Sequence, residues 1–164
     1  VKVLENPTDY TSRANIMWAG TVAHNDITGC GTTGDWATHC IEHELSGMFD
    51  VSHGAGLAAV WGSWARYTRQ ENLPRFVRFA HNVMGVDTAD MGCIEASEAG
   101  IKALEAFFQK IGMPTNIHSL IGRDVTDGEI ETMADKCTNG DTITVGGLMQ
   151  LRRADVMEIY RMAR

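Results

Sequence analysis

The sequence predicts an all-α fold, and three observations carry that reading. Apolar residues recur at spacings of three and four through most segments, and several of these segments are bracketed by residues that cap or stop helices. Only Thr142-Ile143-Thr144-Val145 alternates with period two, and four residues are too few to organise a sheet.

The first helix is expected from residue 8 or 9 to about 24, with Ala14, Met17, Trp18 and Thr21 forming the stripe of a half-buried helix. Asn25-Asp26 ends it, and the glycine-rich stretch 29–34 reads as a loop. Asp35 stands where its carboxylate can cap a second helix, which carries His39 and His43 on one face and runs to residue 48 or 49. After a break at Asp50-Val51-Ser52, residues 54–67 are apolar nearly all round, with Leu57, Val60, Trp61 and Trp64 at helical spacing, as in a buried helix. Helices follow over 74–84 (Phe76, Phe79, Ala80, Val83), ended by Gly85, and over 91–111 (Ile94, Ile101, Leu104, Phe108, Ile111), closed by Gly112-Met113-Pro114. Thr126-x-x-Glu129 is a capping box for a helix striped by Ile130, Met133, Ala134 and Cys137 and stopped at Asn139-Gly140. The last helix, over 154–163, uses Val156, Ile159, Tyr160 and Ala163.

At 164 residues the length fits one domain. A net charge of −7 without a Lys/Arg run argues against a nucleic-acid partner. No segment has the roughly 18 consecutive apolar residues of a membrane helix, and the first residues lack a secretory apolar stretch. Cys30, Cys40, Cys93 and Cys137 are scattered without a C-x-x-C pair, so reduced thiols and a cytoplasmic location are expected.

Chemistry concentrates in His39, His43 and His53, spaced H-x3-H-x9-H. Imidazole ligates Zn²⁺ and Fe²⁺, and an i,i+4 pair lets two rings converge on one point that a third ring can join across a turn. His24, His81 and His118 have no partner near in sequence and read as structural. His39-Cys40-Ile41-Glu42-His43 also matches the inverted zincin motif H-x-x-E-H, which would make Glu42 the base of a metallohydrolase. A third alternative is a non-catalytic metal-binding helical bundle. Asp35 reads as a helix cap rather than a ligand, Trp36 and Phe49 as core, and Glu42 and Glu44, which could orient a ring nitrogen, as a solvated face.

The run Asp35-Trp36-Ala37-Thr38-His39-Cys40-Ile41-Glu42-His43-Glu44-Leu45, with Ser52-His53-Gly54, resembles the iron-containing (group III) alcohol dehydrogenases, closest to their butanol dehydrogenase and NADPH-dependent aldehyde reductase branch. Arg13-Ala14-Asn15-Ile16-Met17-Trp18-Ala19, Phe107-Phe108 and Ile111-Gly112-Met113-Pro114-Thr115 add to the likeness, which extends over essentially the whole chain. The resemblance implies the helical, metal-binding C-terminal domain of the dehydroquinate synthase-like fold across residues 1–164. It makes His39 and His53 two of the metal ligands and His43 a catalytic residue beside the nicotinamide. The implied cofactors are a divalent metal, Fe²⁺ or Zn²⁺, and NAD or NADP. The implied substrate is a small alcohol or aldehyde, and a homo-oligomer stays open. The family's α/β nucleotide-binding domain, with its Gly-Gly-Gly-Ser loop, and its first Asp-x3-His ligand pair are not in the sequence. The chain is therefore expected to be a fragment, binding metal weakly and inactive alone.

Overall fold

The computed structural model describes residues 1–164, and every regular element in it is a helix. Contacts divide the chain into two units, Val1–Gly34 and Asp35–Arg164.

The first unit holds α1 (Lys2–Glu5), α2 (Tyr10–His24) and a 3₁₀ turn at Ile27–Gly29. Asp9 caps α2, accepting from the Ser12 backbone N–H at 2.8 Å. The stripe expected on α2 is present in sequence but not buried: the helix has no buried residue, and Met17 and Trp18 are exposed. Its own unit offers only a four-residue helix and a short turn, too little surface to cover an apolar face.

The second unit is built around α3 (Ala37–Phe49) and α4 (His53–Thr68). Its other helices are α5 (Leu73–Asn82), α6 (Cys93–Lys110), α7 (Ile117–Ile121), α8 (Asp127–Cys137) and α9 (Arg153–Ala163). The capping box at Thr126 and Glu129 is formed, and the expected stripes of α8 and α9 are buried residue for residue. These residues join Ile41, Leu45 and Val60 in one apolar core. Tyr160 crosses it, donating its hydroxyl to the Ile41 carbonyl at 2.6 Å.

α4 is buried mainly through its small residues, Gly56, Ala58, Ala59, Gly62, Ser63 and Ala65, while Trp61 and Trp64 are half-buried. Small residues let neighbouring helices approach. At Gly100 of α6 a Cβ would stand 2.6 Å from the Ala80 Cβ of α5. Two stripe residues expected in the core, Val83 and Ile94, lie beyond this contact and are exposed, because α5 stops at Asn82 and the α6 contact face is Ala96, Ser97 and Gly100. The Thr142–Val145 alternation yields a single antiparallel bridge, Val145 to Leu151, and no strand. Asp35 ties this loop to α3: one carboxylate oxygen accepts from the Ala37 N–H at 2.8 Å and the other from the Gly147 and Leu148 N–H groups at 2.9 and 2.7 Å.

Candidate metal centre

Two consecutive helices and the tight turn between them bring the histidine cluster together. Asp50 takes a left-handed conformation (φ 52°) and its N–H bonds the Ser46 carbonyl, closing α3. Three residues later the chain enters α4, whose first residue is His53. His39 and His43, one helical turn apart on α3, thus face His53. Ring centres of His53 and His39 are 5.4 Å apart, those of His53 and His43 also 5.4 Å, and those of His39 and His43 6.4 Å. Two imidazoles sharing a tetrahedral ion at roughly 2.0–2.1 Å per nitrogen have ring centres about 5 Å apart, so His53 fits a shared divalent metal with either neighbour. The donor set of neutral imidazoles suits iron and zinc alike.

His53 is half-exposed, His43 is exposed and His39 is partly buried, so the rings form an open rim over a closed floor. The floor is Glu42. It has no accessible surface, and its carboxylate meets Nδ1 of His53 and the hydroxyl of Ser46. Glu42 is therefore no part of a solvated face. Nor does it suit the inverted zincin reading, because a base that activates water must reach the open side of the metal. Ligand atoms of Glu42, His43 and His53 lie within 4.8 Å of one another, so proximity alone also admits Glu42 in place of His39.

Sequence reasoning named Glu42 as able to orient a ring nitrogen but read it as a solvated face, although a signal for its burial was there. Thr38, Ile41, Glu42 and Leu45 follow the i, i+3, i+4, i+7 pattern, and all four are buried. Trp36 departs from its expected core role: it is 61% exposed and sets its ring edge-on to His39, with centres 4.9 Å apart. Phe49 does pack against the core. His81 and His118 stand outside the cluster and are exposed, as is His24 in the first unit, and His118 pairs with Asp124 at 2.7 Å. The Gly146-Gly147 loop offers no phosphate cradle, since the Gly147 and Leu148 N–H groups already serve Asp35. Among nearby thiols, burial and then the charge of Asp35 raise the Cys40 pKa, and burial pushes Cys137 up to about 12.

Residues 1–164 match the C-terminal model of the Fe-containing alcohol dehydrogenase family along their whole length. The chain belongs to that family. It is 33% identical over 160 residues to NADH-dependent butanol dehydrogenase A of Clostridium acetobutylicum, covering 96% of this chain and 40% of that protein. Among solved structures, it is similar to the NADH-dependent butanol dehydrogenase A of Thermotoga maritima, with a TM-score of 0.88 and 33% identity over 99% of this chain and 41% of that one. It is also similar to the aldehyde reductase YqhD of E. coli, with a TM-score of 0.90 and 30% identity over 99% of this chain and 42% of that one. The chain thus spans about two-fifths of the length of these relatives. Its all-helical architecture is that of the corresponding part of these iron-type dehydrogenases.

Proposed function

We propose that this chain is the metal-carrying helical part of an NAD(P)-dependent dehydrogenase that exchanges hydride between a primary alcohol or its aldehyde and the nicotinamide. The carrying observation is the convergence of the His39 and His53 rings, 5.4 Å apart across the α3–α4 turn, in a chain of this family. Relatives named for butanol and aldehyde chemistry support the substrate class, and their greater length supports a separate nucleotide-binding part.

In this reading His39 and His53 hold the divalent metal and the remaining ligands come from outside residues 1–164. When bound, the ion supplies Lewis acidity to the alcohol or carbonyl oxygen. His43, exposed beside the pair, carries the hydroxyl proton to and from solvent and borders the nicotinamide, a task suited to imidazole. Trp36 keeps water from one side of the His39 ring through its edge contact.

The test is a His43→Ala substitution in a protein that also carries the nucleotide-binding part. Aldehyde reduction should fall about 10²–10⁴-fold, the usual contribution of a general acid–base group, with metal content unchanged. Loss of metal together with activity would make His43 a ligand and overturn its assignment. Residues 1–164 alone should show no NAD(P)-dependent turnover, and robust turnover by them would refute the division of labour.

A further inference from the structure

A buried carboxylate must be compensated, because the charge loses its hydration. Glu42 is fully buried, and one of its oxygens lies against Nδ1 of His53 while the other takes the Ser46 hydroxyl. Ser46 sits one turn along α3 from Glu42, so the same helix that carries the carboxylate also braces it. The opposing helix is shaped to receive it. Gly56 lies one turn along α4 from His53, and a Cβ there would stand 2.5 Å from Oε1 and 2.7 Å from Cγ of Glu42; the nearest atoms are all Glu42's.

We propose that Glu42 is the positioning residue for the His53 ligand, held by Ser46 and given its space by Gly56. Accepting from the Nδ1–H of His53, the carboxylate fixes the ring's tautomer and rotation and leaves Nε2, on the far side of the ring, as the donor toward metal. Glu42 acts through His53 and does not itself ligate: both its oxygens are engaged and it has no open face. The inference rests on the reading of His53 as a ligand.

The chain's Co²⁺ affinity, followed by visible absorption, separates the cases when measured for wild type, His53→Ala, Glu42→Ala, Glu42→Gln and the double variant Glu42→Ala/Gly56→Ala. Glu42→Ala should weaken binding about 10–100-fold, the usual effect of losing a partner that orients a ligand. Glu42→Gln keeps the shape and one acceptor oxygen and should recover most of the affinity. In the double variant the methyl group added by Gly56→Ala refills the vacated space, so the unfolding midpoint should return toward wild type while affinity stays low. A merely structural Glu42 would give the opposite, affinity recovering with stability.

A metal-free readout is the ¹⁵N spectrum of the neutral His53 ring. The proton should sit on Nδ1 in wild type and Glu42→Gln and move toward Nε2 in the double variant. Unchanged affinity or an unchanged tautomer in the double variant overturns the proposal. Equal losses in Glu42→Gln and Glu42→Ala also overturn it, in favour of direct ligation. Unchanged binding in His53→Ala refutes the ligand reading itself, and the positioning role falls with it.

Discussion

Replacing Gly56 by Ala isolates the contact that lets α4 close over the buried carboxylate. The new Cβ would stand 2.5 Å from Oε1 and 2.7 Å from Cγ of Glu42, closer than real Cβ contacts, so Glu42 must shift and its bond to His53 with it. Gly54, two residues earlier on the same helix, is the matched control, since nothing lies within 4 Å of a Cβ built there. Helix propensity favours Ala over Gly by up to about 1 kcal/mol, and crowding a closed site costs about 1–3 kcal/mol. Gly54→Ala should therefore raise stability slightly, while Gly56→Ala lowers it by up to about 2 kcal/mol. Urea unfolding of the two variants should show a gap of roughly 1–3 kcal/mol with similar slopes. In a Glu42→Ala background the gap should close, because the atoms that crowd Gly56 are gone. Equal stability of the two variants, or a gap that persists without Glu42, would refute the reasoning.

Other expectations concern the frame around the site. Tyr160→Phe removes the hydrogen bond across the core to the Ile41 carbonyl, which keeps its helical partner within α3, and should cost about 0.5–1.5 kcal/mol in urea unfolding; no measurable loss would show that this bond adds nothing to stability. Hydrogen bonds from the Arg123 side chain and then the Thr126 N–H hold Glu129 down at about 2, against an ordinary value of 4.5. A depressed carboxylate contributes stability above its unfolded value and loses it as pH falls through its folded one, so the α8 capping box should loosen between about pH 4.5 and 2. An NMR titration of Glu129 with a midpoint near 4.5 would contradict this. At about pH 8, iodoacetamide should label the exposed Cys30 and Cys93 rapidly and spare Cys137, which is buried with its pKa raised to about 12. Rapid native labelling of Cys137 would show an open core.

Most of the helical frame was legible because its signals are local. The Thr126 capping box, the stop at Asn139-Gly140 and the stripes of α8 and α9 each depend on residues within a turn or two, and each is realised. What sequence reading missed depends on partners far along the chain. α2 shows an apolar stripe in sequence, but burial needs a surface to meet it, and its own unit supplies none. Val83 and Ile94 extend stripes past the contact that Gly100 and Ala80 define, so they remain exposed. At the site, the spacing of His39, His43 and His53 announced a cluster, and the turn at Asp50 made it real. Glu42 was misread because glutamate on a helix usually faces water. Its place on the Thr38–Ile41–Leu45 stripe outweighs that tendency, with His53, Ser46 and Gly56 supplying the polar contacts and the space that such a burial requires.

The central claim is that His39 and His53 form the metal pair and His43 stands beside it. Equilibrium Co²⁺ or Zn²⁺ binding by wild type, His39→Ala, His43→Ala and His53→Ala tests it most directly, because the structure places His53 equally far, 5.4 Å, from both neighbours. The account predicts that His39→Ala and His53→Ala each abolish the weak binding of this chain and that His43→Ala retains it. Retained binding in His39→Ala with loss in His43→Ala would contradict the account and move the site to Glu42, His43 and His53.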